Sequence, residues 1–300
     1  MNKYIKSVIA ISAAYAITTT LAKRKSMPEA KPVKPFFNGR APYIFAHRGG
    51  LYLRPEHTMA AFNNAHALGV DGFEIDIRLT KDHQVVVLHD ETVDRVSNGS
   101  GLVFDHTLNE LKQLDFGFQF KDLNGAFPYR HHANCKVVTL YELINAFPEM
   151  RINIDIKDAP NTHAGRYVIE ALYNVIKNSD AFDRVVITSF YDTQIKRFRN
   201  RCDAKVAYGA GQGEVAKTFL MFQSGYGNLK RIDADTFQIP VQFNGIALDT
   251  QKFIQWLQKQ NVAPGYWVIN SIDQMKQLLK NGAHTIVTDR PDIAVRLKQQ

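Results

Sequence analysis

The stretch Gly72-Phe73-Glu74-Ile75-Asp76-Ile77-Arg78-Leu79, followed after five residues by Val85-Val86-Val87-Leu88-His89-Asp90, decides how this chain folds. Strict alternation places Phe73, Ile75, Ile77 and Leu79 on one face of a strand and Glu74, Asp76 and Arg78 on the other. Residues 80–84 are too few for a parallel crossover, which needs about a dozen or more, so the two runs predict an antiparallel hairpin about Asp82. In that register Asp76 faces Leu88-His89 and Glu74 faces Asp90. The hairpin thus brings two carboxylates and a histidine to the same end of a sheet.

Working outward, apolar runs at 43–47, 151–156, 184–190, 205–208, 266–270 and 284–288 read as buried strands. Amphipathic segments at 58–68, 164–177, 193–199, 250–260 and 272–280 read as the helices between them. The seventh strand in chain order is placed either at 236–239 or at 245–248. Repetition of β then α, with strands apolar on both faces, predicts an α/β fold: a parallel sheet closed as a (β/α)8 TIM barrel. An open doubly wound sheet is disfavoured, because no Gly-rich dinucleotide fingerprint follows the first strand. Residues 91–139 form an insertion after the third strand, with one helix near 108–114. Long excursions of this kind shape or cover a site.

The composition agrees. A chain of 300 residues, 45% hydrophobic and 22% charged, is neither disordered nor collagen-like nor a polytopic membrane protein. Two cysteines, Cys135 and Cys202, are too few for a disulfide framework or a multi-cysteine zinc module, and read as small buried hydrophobes. The net charge of +8 favours anionic partners, but without an Arg-rich helix or a Cys/His finger nucleic acid is not expected among them.

Residues 1–25 read as a signal peptide or an N-terminal membrane anchor: Lys3 and Lys6, then an apolar stretch diluted by Ser and Thr, then Lys23-Arg24-Lys25. Export is therefore expected, secreted or membrane-anchored, with membrane association through this segment. Residues 26–42, holding Pro28, Pro32, Pro35 and Pro42, read as an extended linker, and 43–300 as the catalytic barrel.

Three clusters carry chemistry. At the end of the first strand, Ala46-His47-Arg48-Gly49-Gly50 offers a proton-transfer group, a cation for phosphate and a backbone that approaches a ligand closely. Glu74 and Asp76 are like charges at i and i+2 on one strand face, costly unless a cation neutralises them. With only oxygen ligands nearby, that cation is hard, Ca2+ or Mg2+. Ile152-Asn153-Ile154-Asp155-Ile156-Lys157 adds a third carboxylate and a lysine, read either as metal ligand with phosphate binder or as a structural ion pair. His89-Asp90 supplies the second histidine. One base, one acid, a metal clamp and phosphate-binding cations are the needs of phosphodiester cleavage.

These motifs, with Arg54-Pro55-Glu56-His57-Thr58, Thr80-Lys81-Asp82, Asp94-Arg95, Thr188-Ser189-Phe190, Trp267-Val268-Ile269-Asn270 and Thr288-Asp289-Arg290-Pro291, resemble the glycerophosphodiester phosphodiesterase family over residues 43–295. The resemblance implies a TIM barrel with an insertion after the His-Asp strand. It implies His47 and His89 as the catalytic acid–base pair, and Glu74, Asp76 and Asp155 as ligands of one divalent cation. Arg48 and Lys157 fall on the substrate phosphate; Glu56 falls beside the metal or a substrate hydroxyl, and Trp267 beside the substrate. The chain departs from the family's usual pattern twice, with Asp155 where Glu is usual and His57 where Asn is usual. The implied reaction is hydrolysis of a small-molecule glycerophosphodiester to glycerol 3-phosphate and an alcohol. Attack by the neighbouring glycerol hydroxyl would give a cyclic phosphate that water then opens.

Lysophospholipids, glycerol-phosphate polymers and the role of an inert tethered binding module remain as alternatives. Phe116, Phe118 and Phe120 fit packing of the insertion or an acyl pocket, His131-His132 a solvated loop, and His284 a satisfied core histidine.

Overall fold

All but one of the apolar runs become strands where expected, and the amphipathic runs become helices. The structure, a computed structural model, describes residues 3–25, 27–122, 124–202 and 205–298. Ser26 and the outermost residues of the expected leader and barrel lie outside these. The strands are β1 (Tyr43–His47), β2 (Gly72–Leu79), β3 (Val85–Val87), β4 (Val138–Thr139), β5 (Arg151–Ile156), β6 (Val185–Thr188), β7 (Ala207–Tyr208), β8 (Thr236–Ile239), β9 (Gln242–Phe243), β10 (Ile246–Ala247), β11 (Ala263–Tyr266) and β12 (Thr285–Thr288). The helices are α1 (Lys3–Arg24), α2 (Met59–Ala67), α3 (Leu108–Gln113), α4 (Leu140–Ala146), α5 (His163–Asn178), α6 (Asp192–Arg201), α7 (Gln212–Gln223), α8 (Gln251–Gln258), α9 (Ile272–Asn281) and α10 (Pro291–Lys298).

Eight strands run parallel in the order β7-β6-β5-β2-β1-β12-β11-β8. The ends meet through Asp235 N donating to Tyr208 O (2.7 Å) and Ala210 N to Thr236 O (2.9 Å), which closes the barrel. β3 leaves β2 as the expected antiparallel hairpin, pairing Ile77 with Val87, and Leu88 N donates to Asp76 O at 3.0 Å. The third strand in chain order is therefore an outrigger of the barrel. It carries the inserted segment, which has its own small core of Val86, Leu88, Val93, Val103, Leu111, Phe116 and Val137.

Alternation sorts each strand into two files. Ile44, Ala46, Phe73, Ile75, Ile77, Ile152, Ile154, Val185, Ile187 and Ile286 belong to the large core shared with the helices. Phe45, Val186, Ala207 and Val287 form a separate cluster within the ring, joined by Phe36 and Tyr43. Gly72 is small for a reason: a Cβ there would lie 2.7 Å from the Phe45 ring and 2.6 Å from Arg151 O. Climbing these inner files changes their chemistry, from Phe45 to His47 on β1, from Gly72 to Glu74 and Asp76 on β2, and from Val287 to Asp289 beyond β12. The strand C-termini, where such barrels carry their sites, are where the charges emerge.

One placement differs from expectation, and one left open between two positions is decided. The strand expected at 266–270 is β11 at Ala263–Tyr266, and Trp267 to Asn270 leave it at the charged end. Pro264 and Gly265 read locally as breakers, but Pro264 sits in parallel register with Phe237 and its carbonyl accepts from His284 N at 2.7 Å. The contested strand is Thr236–Ile239; Gln242–Phe243 and Ile246–Ala247 form an exposed hairpin about Asn244 and Gly245, both with positive φ.

Residues 27–42 run extended to Lys34 but are held against the barrel. Phe36 is buried, a contribution of roughly 1.5–3 kcal/mol for such a side chain. Lys31 pairs with Asp235 at 2.8 Å, and Arg151 Nε donates to Phe36 O at 2.8 Å. Helix α1 lies beside the end of α7: Tyr15 OH donates to Ser224 O at 2.8 Å, and Thr18 Oγ1 and Tyr226 OH share a hydrogen bond of 2.7 Å. Among the described residues no helix is long and apolar enough to cross a membrane, so the spanning-anchor reading of residues 1–25 gains no support.

His284 is a core histidine at the opposite end from the charges, with ring centroids 4.7 Å from Tyr43 and 5.4 Å from Phe37. Burial, helped by the Arg151 charge, pulls its pKa down to about 4. Between that value and the ordinary one the unfolded chain binds a proton that the folded chain refuses, so stability rises with pH. This contribution, up to about 3 kcal/mol, is complete above about pH 6.5 and lost as pH falls toward 4. Melting curves of wild type and His284→Phe should diverge across that window, wild type losing stability faster on acidification. Parallel curves would contradict this reading.

Candidate active site

The mouth of the barrel is built from strand ends. After β1 the chain turns at once: Gly50 N donates to His47 O (2.8 Å) and Arg48 N to Glu74 O (2.9 Å). Arg48 takes φ +51°, Gly49 +84° and Gly50 +92°. Gly49 has no alternative, since a Cβ would fall 2.8 Å from that of Ala61. Left-handed backbone at Arg48, and again at His57 (φ +58°), costs of order 1–3 kcal/mol each and is held by the surrounding contacts. The result turns Arg48 back over the strand ends.

His47 is held from one side. Its Nδ1 lies 2.6 Å from Asp289 Oδ1, and Asp289 Oδ2 accepts from Asn270 Nδ2 at 2.7 Å. Asn270 Oδ1 in turn accepts from Asp289 N (2.9 Å) and Thr288 Oγ1 (3.0 Å), so the carboxylate is fixed at both ends. His47 Nε2 therefore points inward, 3.8 Å from Glu74 Oε2. Burial disfavours the imidazolium, but the Asp289 hydrogen bond and the charges of Glu74 and Asp289 outweigh it and raise the His47 pKa. His89 repeats the arrangement, with Nδ1 2.7 Å from Asp90 Oδ1.

Asp76 is the hub. It is 1% exposed, receives His57 Nε2 at 2.9 Å, and pairs with Lys157 Nζ (2.9 Å) and Arg48 Nε (3.2 Å). Burial alone would raise its pKa, but the His57 hydrogen bond and the Lys157 and Arg48 charges hold it well below the usual carboxylate range. Lys157 also grips Asp155 at 2.5 Å; β2 and β5 place Asp76 and Asp155 side by side in register. His57, which stands where the resemblance leads one to expect Asn, is buried, and burial lowers its pKa, so it stays neutral and supports Asp76. Glu56 joins Arg48 Nη1 at 3.0 Å. Burial works against the Glu56 carboxylate, but two bonds from Arg95 and the nearby charges hold it down to about 2.

Glu74 stands apart. Its Oε2 is buried with no hydrogen-bond partner, and burial, followed by repulsion from Asp76, pushes its pKa up to about 7. An orphaned carboxylate oxygen beside a second carboxylate, with oxygen donors only, fits a hard divalent cation. Among the described residues no three His, Cys, Asp or Glu side chains converge as a ready-made cage. Glu74 thus offers an ion its partnerless oxygen, while Asp76 beside it gives Oδ2 to His57 and Arg48 and Oδ1 to Lys157, and Asp155 is tied to Lys157.

Trp267 closes one wall. Its Nε1 donates to Gln238 O at 2.8 Å, and its ring meets Phe190 edge-on with centroids 6.2 Å apart. Phe190 in turn lies under Lys157 Nζ, 5.3 Å away. Local reading of the residues assigned no role to Asp289, Asp90 or Arg95. Asp289 and Asp90 carried a signal, as carboxylates just after the expected strand ends, whereas Arg95 carried none, and nothing local names the partners of any of the three. Beyond Glu56 and Arg95 the mouth opens into a cleft of about 540 Å3 of mixed lining, with Leu51, Tyr52, Leu53, Val96, Phe116 and Phe120 on its apolar wall and Gln119, Lys121, Asp122 and Arg290 among its polar side chains.

The sequence pattern of the Glycerophosphoryl diester phosphodiesterase family matches residues 47–293. A glycerophosphodiester phosphodiesterase of Caldanaerobacter subterraneus subsp. tengcongensis is 32% identical over 260 residues, 85% of this chain and 96% of that one. One from Bacillus altitudinis is 30% identical over 257 residues, covering 86% and 98%. Among solved structures, the glycerophosphoryl diester phosphodiesterase domain of a Mycobacterium tuberculosis protein superposes with a TM-score of 0.73 at 19% identity, covering 86% of this chain and all of that one. An Oleispira antarctica phosphodiesterase, solved with the product sn-glycerol-3-phosphate, gives 0.67 at 21% identity over 86% and 97%. The likeness in structure shows the barrel; the likeness in sequence, running from His47 through the whole charged mouth, shows that this chain belongs to the glycerophosphoryl diester phosphodiesterase family of enzymes.

Proposed function

We propose that this chain hydrolyses glycerophosphodiesters to glycerol 3-phosphate and an alcohol, with His47 and His89 as the acid–base pair. The observation that carries the mechanism is that each imidazole has a carboxylate on Nδ1, leaving Nε2 free for proton transfer. The names of the sequence relatives support the substrate class. One histidine takes the proton of the attacking hydroxyl and the other gives a proton to the departing alcohol oxygen. Arg48 and Lys157 supply positive charge for the phosphoryl oxygens, in a mouth walled on one side by Trp267 and Phe190. Glu74 and Asp76, with Asp155 beside them, would hold one divalent cation, Ca2+ or Mg2+. When bound, that ion would add Lewis-acid charge on the phosphodiester.

The cleft favours a second reading, a substrate that keeps one acyl chain. Its apolar wall is continuous with the site through Glu56, and a single-chain lipid leaves a hydroxyl free beside the phosphate. Product analysis with glycerophosphocholine and with lysophosphatidylcholine tests both. Release of choline and glycerol 3-phosphate from the first is expected. Faster release from the second, lost in Phe120→Ala, would make the acylated compound the substrate; no product from either would refute the assignment.

A further inference from the structure

Arg95 belongs to the inserted segment, not to the barrel, and its side chain is half exposed. Its guanidinium nevertheless makes three bonds into the site. Nη1 and Nη2 donate to Glu56 Oε2 and Oε1, both at 2.8 Å, and Nε donates to Asp90 Oδ2 at 2.5 Å. Each acceptor also holds a working group: Glu56 Oε1, shared with Arg95 Nη2, takes Arg48 Nη1 at 3.0 Å, and the other Asp90 oxygen, Oδ1, lies 2.7 Å from His89 Nδ1. One planar fork therefore ties the phosphate-binding arginine to the second histidine.

Exposed ion pairs as a rule contribute little stability, and a half-exposed arginine invites that reading. The geometry argues otherwise. A bidentate fork with a third bond from the same rigid group fixes two carboxylates in relation to each other, which a lone lysine cannot do. The inserted segment is anchored by its own core and by Leu88 on the barrel hairpin, so the fork has a firm base. His89 rotates about its side-chain bonds unless Asp90 is held, and Arg95 holds it.

We propose that Arg95 is a positioning residue, orienting His89 through Asp90 and Arg48 through Glu56, so that the insertion forms part of the catalytic apparatus. This rests on the proposed role of His89. Its test is a mutant cycle on glycerophosphocholine with Arg95→Gln, Arg95→Lys, Asp90→Asn and the double Asp90→Asn/Arg95→Gln, with His89→Ala alongside. Arg95→Gln should lower kcat about 10- to 100-fold with KM and melting temperature nearly unchanged. Arg95→Lys should recover only part of the loss. The double variant should be much less impaired than the product of the two single losses, because both act on one imidazole. Wild-type kcat in Arg95→Gln with an inactive His89→Ala would overturn the positioning role alone. Multiplying losses in the double variant would do the same. Wild-type turnover in His89→Ala would overturn the acid–base reading and this proposal with it.

Discussion

Replacing His47 by alanine is expected to lower kcat on glycerophosphocholine about 10²- to 10⁴-fold, with His89→Ala falling in the same range. Such a loss is the usual worth of a positioned proton-transfer group, and the surroundings of His47 support that role. Asp289 fixes Nδ1, Asn270 fixes Asp289, and the other ring nitrogen is left facing Glu74 and the open mouth. A histidine that only supports the fold has no ring nitrogen facing the open mouth. His57 shows the contrast, since it is buried, with Nε2 spent on Asp76 and Nδ1 enclosed without a hydrogen-bond partner. His47→Ala should keep its fold, because β1 is held by backbone pairing to β12 and β2 and the lost ring lies at the strand's last residue. Asp289→Asn should be milder, about 10- to 100-fold, because the imidazole remains but loses its orienting charge. Steady-state rates at saturating substrate, with melting curves as the control for folding, decide the matter. Near-wild-type turnover in either alanine variant would remove the acid–base assignment.

What could be read from residues alone follows from the range of the interactions involved. Alternation in Gly72–Leu79 and Arg151–Ile156 is local, so the faces of both strands, and the placement of Glu74, Asp76, Asp155 and Lys157 at one end, were legible. The short turn about Asp82 made the Ile77–Val87 register legible too. Partner choice across the barrel was not. Asp289 reaches His47 only because β12 closes beside β1, a pairing across more than two hundred residues that no local pattern encodes. Strand β11 was misplaced for the same reason, since neighbouring strands override what Pro264 and Gly265 suggest locally. The three bonds of Arg95 depend on where an irregular segment folds back, and irregular backbone has no period to read. Family likeness marked the residue without giving it work to do.

Stripping divalent ions with EDTA is expected to abolish turnover, and adding back Ca2+ or Mg2+ to raise the melting temperature of wild type but not of Glu74→Gln. The argument starts from charge. Asp76 and Asp155 are answered by Lys157 and Arg48, and Glu56 by Arg48 and Arg95. Glu74 has no such partner: its nearest positive group is His47 Nε2 at 3.8 Å, and its buried Oε2 accepts nothing. A bound ion at a hundred times its dissociation constant stabilises a fold by about 2.7 kcal/mol. For a chain of this size that corresponds to a melting shift of roughly 5 °C. Glutamine keeps the shape of Glu74 and removes the charge that attracts the ion, so the shift should vanish while the ion-free variant melts no lower than ion-free wild type. That second clause separates the ligand role from a structural one: a glutamate needed for packing or for a hidden hydrogen bond would lower the ion-free melting temperature when replaced. Full turnover in EDTA, or an equal ion-induced shift in Glu74→Gln, would remove the cation from Glu74, and the partnerless oxygen at the barrel mouth would need a different explanation.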